Sequence, residues 1–512
     1  MRNNIGLLLA KRAALSPSMD GVVEVERGRR FGFPALNARC NQTANALHAL
    51  GVRKGDRVAL LLMNGVEFVE SFFAIAKLGA IVVPLNWRLV ADELTFILRD
   101  SGATVLVFDH ELTAVVTDLH RRGAAIRDWV QVGASDGAAP FARDYDTWQA
   151  AASDHEPAVE AGDEDELYIM YTSGTTGVPK GVVHTHASAL WACFTVALTA
   201  DTRYGDRYLI ILPLFHVGAL TPLTGNVQRG VASVLMRAFD PARTYRVIAN
   251  ERISILLAVP AMLNFMLQVP DADAYDCSSL RWIMSGAAPV PVTLIERYAE
   301  RGIEVHQVYG LTESCGPACL ISPEDAIARA GSTGKAFFHT EVRVVDEAGR
   351  DVAPGGAGEV LVRGAHVMKG YWNRADATAE TIRDGWLHTG DVATTDADGF
   401  IYIADRKKDM IISGGENIYP AEIENVILSH PMVREVAVIG QASAKWGESP
   451  LAIVVRKEAA LGEADVLEWC RGKLAGYKRP RGVRFVDEIP RNPAGKILKR
   501  VLRDRFPEPA EE

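Results

Sequence analysis

Between residues 172 and 180 the chain reads Thr172-Ser173-Gly174-Thr175-Thr176-Gly177-Val178-Pro179-Lys180. Four hydroxyl side chains and two glycines fall within seven positions, and a lysine follows. Glycines let successive backbone N–H groups turn toward an anion with no Cβ in the way. Hydroxyls donate to phosphate oxygens, and Lys180 adds a cation. The chemistry on offer is a grip on a polyphosphate. It is not the common NTPase loop, which needs Gly-Lys-Ser/Thr opening a helix; here Pro179 precedes Lys180 and Gly181 follows it. A flexible Ser/Gly linker shares the composition but has no use for Tyr171, Pro179 and Lys180 in this order.

Other residues invite a chemical reading. Glu313 suits Mg²⁺, which takes carboxylate and phosphate oxygens and keeps waters, although a lone loop glutamate is usually a solvated side chain. Lys496 follows Pro493-Ala494-Gly495, a loop that presents one ammonium. Cys315 and Cys319 have the spacing of a metal pair, but no second Cys or His pair accompanies them, so packing is the expected role.

These residues need a frame. The apolar run 58–62, the helical spacing of 67–78, the strand 80–85, the helix 92–100 and the strand 104–108 alternate in the manner of a parallel α/β sheet. Residues 167–171 are a short strand leading into the hydroxyl loop. Residues 133–165 show little periodicity and predict a surface connection. Further strands are expected at 208–212, 253–259, 281–284 and 304–309. Each ends in small or turn-forming residues, where open α/β sheets bind ligands. From about residue 340 the period becomes two (341–345, 358–363), which predicts a smaller antiparallel unit. The charged break Asp405-Arg406-Lys407-Lys408-Asp409 marks the expected boundary. The expected division is 1–404, a hinge at 405–410, and a smaller α+β unit at 411–512, with helices near 421–428 and 463–474.

The chain has 512 residues, beyond one ordinary core. Its 48% hydrophobic and 23% charged content are those of a soluble globular protein. A net charge of −9 argues against a general nucleic-acid binder. Six scattered cysteines predict reduced thiols and a cytoplasmic setting. No apolar stretch reaches the ~20 residues that cross a bilayer. Lys11-Arg12 interrupts the first apolar run, which predicts an amphipathic first helix, not a leader. Peripheral contact with the inner membrane face is compatible with all of this, as is a monomer or a homodimer.

The stretch 171–182 resembles the phosphate loop of the adenylate-forming superfamily: acyl-CoA synthetases, peptide-synthetase adenylation domains and luciferase. Tyr309-Gly310-Leu311-Thr312-Glu313, Thr389-Gly390-Asp391, Arg406 and Ile489 to Ile497 are similar to further motifs of that family, in order along essentially the whole chain. The resemblance implies an α/β N-terminal domain and a mobile α+β C-terminal domain. It implies that Thr172, Ser173, Gly174, Thr175, Thr176, Gly177 and Lys180 hold ATP, and that Glu313, with Thr176, holds Mg²⁺. Gly286, Ala287, Ala288, Gln307, Val308, Tyr309, Gly310, Leu311, Thr312 and Ile403 would lie around the nucleotide. Asp391 would accept the ribose hydroxyls with Arg406 beside it. Lys496 would bridge carboxylate and α-phosphate, joining Thr172 and Glu313 as catalytic residues. Lys408 matches the hinge of a rotating small domain. Rotation would bring Ser413, Gly414 and Gly415 to a pantetheine channel, with Trp446 and Lys478 on the coenzyme A side.

The acid pocket is expected from His216, Val217, Gly218, Leu220, Ala258, Ser285, Gly310, Cys315 and Gly316. These are small or apolar, with no counter-ion for an α-amino group. His216 is either a gate of the acyl tunnel or a packed loop histidine. The chain most resembles bacterial fatty-acyl-CoA ligases, notably in Glu166 to His186 and Asp409 to Glu424. It departs from a mycobacterial very-long-chain type in having Gly310 where alanine is expected, which leaves chain length open. The implied activity is acid plus ATP to acyl-AMP, then transfer to coenzyme A, with a medium or long fatty acid favoured. An aryl-CoA ligase of the feruloyl or coumaroyl kind is the alternative. A luciferase-like oxygenase and a carrier-protein acyl-AMP ligase stand behind these.

Overall fold

The computed structural model describes the chain outside residues 1–3, 135–136, 159–160, 173–178, 289, 407–408, 414–415, 444–445, 472, 475, 477, 492–496 and 508–512. Over the described residues two large sheets dominate. The first runs, in spatial order, Lys335–Ala336, Cys319–Leu320, Glu304–Tyr309, Trp282–Ser285, Ile255–Ala258, Arg207–Ile210, Ala232–Leu235, Asp20–Glu24 and Arg29–Gly32. The second runs Gly370–Tyr371, Lys180–Thr185, Glu166–Thr172, Ile81–Pro84, Arg57–Leu61, Val105–Asp109, Asp128–Val132 and Arg143–Asp144. The predicted strand–helix alternation is thus a parallel core, with antiparallel pairs toward the edges.

The largest core cluster joins residues of both sheets with the helices Ile5–Leu15, Phe33–Ala49, Val66–Leu78, His186–Thr199 and Val217–Arg229. Val66–Leu78 is buried at every residue. Its polar residues Glu67, Glu70, Ser71 and Lys77 share one face, the rest of its circumference is apolar, and both faces are buried. The two glutamates in it are paired: Glu67 accepts from Arg29 (2.6 Å), and Glu70 accepts from the Tyr145 hydroxyl (3.0 Å) and Gln149 (2.8 Å). The expected featureless connection 133–165 therefore holds a short helix, Tyr145–Ala150, pinned by buried polar bonds. Periodicity over six residues is too short to reveal it.

A third sheet, Glu341–Val345, Ala357–Arg363, Trp386–Thr395 and Ile382–Arg383, is antiparallel, with Ile401–Arg406 on Trp386–Thr395. That last strand runs through Arg406, which pairs with Asp391, so the chain stays in this sheet past residue 404. The fourth sheet, Glu416–Ile418, Ile411–Ser413, Gly447–Arg456 and Val433–Ser443, takes Gly482–Phe485 in parallel on Gly447–Arg456. The helices Pro420–Leu428 and Glu463–Trp469 add to the apolar cluster of this smaller α+β part. Glu463–Trp469 stops short of the predicted 463–474. No described helix is long and apolar enough to cross a membrane.

The first helix docks at a buried histidine. The Ile5 N–H donates to His186 Nδ1 (3.0 Å), which leaves the proton on Nε2, where it is buried without a hydrogen-bond partner. Burial lowers the His186 pKa to about 4. An unfolded histidine binds its proton near pH 6.5, so between pH 6.5 and 4 the unfolded chain takes up a proton that the folded one refuses. Stability is therefore expected to fall as pH drops through that window, by about 3 kcal/mol for this group. Thermal melts at stepped pH check it. His186→Asn, which keeps an acceptor near Nδ1, should flatten the slope.

Candidate active site

The strand Glu166–Thr172 ends where its antiparallel partner Lys180–Thr185 begins, and Thr172 pairs with Lys180 in register. Ser173, Gly174, Thr175, Thr176 and Gly177 lie outside the described residues. The base of the loop is tied down. The Tyr171 hydroxyl donates to Asp100 (2.8 Å), which also receives Arg374 (2.6 Å), while the Trp372 indole N–H reaches the Asp100 carbonyl (3.1 Å). The Lys180 ammonium sits 5.1 Å from the Tyr371 ring centre.

The strand Glu304–Tyr309 supplies the opposite wall. After it the chain makes a tight turn, Thr312–Ser314, with Cys315 at φ 57°. A Cβ on Gly310 would stand 1.5 Å from the Gly316 carbonyl oxygen. In this conformation the missing Cβ lets the strand end and the returning loop touch. Glu313 is carried at the apex, and its Oε1 accepts from the Tyr371 hydroxyl (2.9 Å). A carboxylate with one oxygen oriented and the other not committed to that bond suits a hard cation that shares phosphate oxygens. Glu313 fits the Mg²⁺ role by that chemistry. Thr176, its expected companion, is outside the described residues.

Tyr309 donates to the buried Asp391 carboxylate at 2.7 Å. This joins two motifs separated by 82 positions. Ile403 packs against the cluster that contains Tyr309, and Arg406 meets Asp391 across the ladder. Gly286 lies where a Cβ would meet the Val308 carbonyl at 2.2 Å, and Ala287 takes φ 67°, rare for a residue with a side chain. Ala287 and Ala288 are exposed. Gln307 is buried beside Ser285 in register, and Gln307 Nε2 and Ser285 Oγ have no partner. Leu311 packs on the same cluster as Tyr309, and the Thr312 carbonyl accepts from His184 Nε2 at 2.8 Å.

His216 precedes the helix Val217–Arg229 and is half-buried, with its Nε2 buried and unpartnered. Burial lowers its pKa to about 4, Arg88 adding to the effect. In this conformation it is a packed, neutral histidine. A Cβ on Gly218 would lie 3.2 Å from Leu212 and 4.0 Å from Leu257. Cys315 contacts the Tyr168 hydroxyl (3.1 Å), and its carbonyl accepts from Thr221 (2.7 Å). With Ala189, Cys193, Leu220 and Thr224 these surround a void of about 10 Å³. Cys319 is buried in the neighbouring apolar cluster.

Strand alternation divides the expected lining between two faces of the sheet. Leu257, Met284 and Val308 belong to or pack on the cluster between the sheets, the side that carries Val217 and Leu220. Ala258 is buried in the cluster on the outer face, and Ser285, two residues after Ile283, faces the same way. Ala258 and Ser285 thus stand on the face opposite Leu257 and Met284. The period-two rule applied to 253–259 and 281–285 would have found Leu257 and Met284.

On the smaller part, Ser413 is buried and pairs with Gly447. Trp446 is 41% exposed, and Lys478 is paired with Glu422 at 2.8 Å. Lys408, Gly414, Gly415 and Lys496 lie outside the described residues. The chain on either side of Lys496 is closed by a bridge between Arg491 and Ile497 and by the Leu498 N–H to Pro490 (2.9 Å).

The strands Glu166–Thr172 and Lys180–Thr185, with a Tyr309–Asp391 pair and an oriented Glu313 close by, define a class, and comparison agrees. The chain belongs to the AMP-binding enzyme family: residues 9–372 match its AMP-binding model and residues 422–496 the model of its C-terminal domain. It is 47% identical over 506 residues to the long-chain-fatty-acid–CoA ligase FadD13 of Mycobacterium tuberculosis, covering 98% of each chain. It is 41% identical to a feruloyl-CoA synthase of Amycolatopsis, covering 99% of this chain and 100% of the relative. Among solved structures, the anthranilate CoA ligase AuaEII in complex with anthranoyl-AMP superposes with a TM-score of 0.92 at 30% identity, covering 99% and 98%.

Proposed function

We propose that the protein is an ATP- and Mg²⁺-dependent acyl-CoA ligase that joins a medium- or long-chain fatty acid to coenzyme A through an acyl-AMP. The observation that carries the reading is the loop after Glu304–Tyr309, which brings Tyr309 to Asp391 and Glu313 to Tyr371. One turn of chain thus serves the nucleoside and the phosphate ends of one substrate.

In the first half-reaction the acid carboxylate attacks the α-phosphate and pyrophosphate leaves. Thr172, the hydroxyl loop and Lys180 hold the phosphates, and Asp391 with Arg406 holds the ribose. Glu313 would hold the Mg²⁺, which when bound would supply charge neutralisation at the phosphates. Lys496 brings the two anions together, which is the main obstacle to the step. Turning at Lys408 then withdraws Lys496 and presents Ser413, Gly414 and Gly415 to the thiol of coenzyme A, with Trp446 and Lys478 nearby. The apolar side chains Leu257, Met284 and Val308 give the acid an alkyl-compatible wall.

The long-chain reading is supported by FadD13, and an aromatic acid by the feruloyl-CoA synthase. Coenzyme A-dependent AMP release, measured across acids from acetate to a twenty-four-carbon chain plus ferulate and coumarate, separates them. The expected optimum is a medium or long alkyl acid. A clear preference for ferulate replaces this reading with the aryl one, and no pyrophosphate release with any acid removes both.

A further inference from the structure

The segment between the antiparallel sheet and Trp372 matches no motif considered above, yet it makes three hydrogen bonds to the Glu313 turn. His366 Nδ1 donates to the Ser314 carbonyl (2.8 Å), the Met368 N–H donates to the Glu313 carbonyl (2.8 Å), and the Tyr371 hydroxyl donates to Glu313 Oε1 (2.9 Å). A fourth bond, His184 Nε2 to the Thr312 carbonyl (2.8 Å), comes from Lys180–Thr185, the strand on which Gly370–Tyr371 pairs. Three successive carbonyls, 312 to 314, are therefore held from behind. Each histidine has its other nitrogen beside a hydroxyl, Thr340 (2.7 Å) for His366 and Ser188 (3.1 Å) for His184. That fixes the donor nitrogen in both: a carbonyl can only accept, so the proton lies on the side of the turn.

We propose that residues 366–371 are the positioning element for Glu313, with Tyr371 setting the carboxylate itself. The inference rests on the Mg²⁺ role given to Glu313 above. The backbone clamp fixes where the Glu313 Cα stands, and the Tyr371 hydroxyl fixes which oxygen turns to the phosphates. The same ring lies under the Lys180 ammonium at 5.1 Å, so one side chain touches both charged groups at the phosphate end. Tyr371 acts through Glu313 and is not itself catalytic. Partners of this kind typically change metal affinity or activity by about 10–100-fold.

Tyr371→Phe keeps the ring and the Lys180 contact and removes one oxygen. Mn²⁺ binding to the full-length protein, followed by electron paramagnetic resonance in the presence of α,β-methylene-ATP, should weaken about tenfold. Acid-dependent pyrophosphate release should fall by a similar factor at low Mg²⁺ and recover as Mg²⁺ rises. Acyl transfer from supplied acyl-AMP to coenzyme A and the melting temperature should stay at wild-type values. His366→Ala should show the same metal defect and His366→Asn, which keeps a donor near Nδ1, should restore it. Wild-type Mn²⁺ affinity in Tyr371→Phe overturns the proposal, as does a loss that Mg²⁺ cannot rescue. Wild-type protein without metal-dependent pyrophosphate release would instead sink the reading of Glu313.

Discussion

Lys496→Ala is expected to stop acyl-AMP formation while acyl transfer from supplied acyl-AMP to coenzyme A survives. The first half-reaction brings a carboxylate against an already anionic α-phosphate, and a positioned cation lowers that repulsion at the moment charge shifts. Removing one such group in a water-poor site costs about 10²–10³ in rate. The second half-reaction cleaves a mixed anhydride with a thiol and has no comparable meeting of anions. The loop that carries Lys496 is anchored on both sides: Arg491 bridges Ile497 and pairs with Glu435 (2.8 Å), and Ile497 packs beside the buried Ile439 and Leu451. Truncating the side chain should therefore leave the fold intact. Pyrophosphate exchange and thioester formation, assayed separately, decide it, and equal loss of both removes the role assigned to Lys496.

Gly310→Ala should have the next largest effect. The added methyl meets the Gly316 carbonyl oxygen at 1.5 Å, and the neighbour is backbone, not a side chain that can swing away. Residues 311–316 must move outward, and Glu313 goes with them. The loop is stitched by Gly316 N–H to the Leu311 carbonyl and Ala318 N–H to the Tyr309 carbonyl, so the displacement is shared with Tyr309 and hence with Asp391. A shift of about 1 Å at reacting groups costs roughly 10² in rate. We expect adenylation to drop by about that factor, with a melting temperature several degrees lower. An unchanged adenylation rate would mean the loop relaxes without disturbing Glu313. Gly310 was first noted for a different reason, as a departure beside the acyl tunnel, and its packing makes it a determinant of loop position as well.

The parallel framework was legible because each strand and helix between residues 57 and 109 carries its own period. At the candidate site Thr172 stands out by the hydroxyl and glycine cluster that it opens, whereas Glu313 and Asp391 stand out only through resemblance to family motifs. Three things were not legible. The Tyr145 helix is too short to have a period, and its anchor, Glu70, lies 75 positions away. The pocket lining was expected by residue size, and the pleat, which size does not reveal, sets Leu257 and Ala258 on opposite faces of the sheet. The clamp behind Glu313 uses two histidines and a tyrosine that look like ordinary sheet residues, and only the pairing of Gly370–Tyr371 with Lys180–Thr185 brings them there.

The opening residues of the chain are spent in the middle of the molecule. Ile5 bonds to His186, Arg12 donates to the Val227 carbonyl (2.9 Å), and the strand Asp20–Glu24 lies against Ala232–Leu235. During synthesis these partners leave the ribosome 181 to 215 residues late. At about 5–20 residues per second the wait is roughly ten to forty seconds. Until then the first helix has only Phe33–Ala49 and Val66–Leu78 to pack on, and the strand Asp20–Glu24 has Arg29–Gly32 but not its parallel neighbour. A nascent chain of this design depends on being shielded until its middle arrives, so yield on overexpression should track chaperone supply more closely than it tracks the melting temperature of the finished protein.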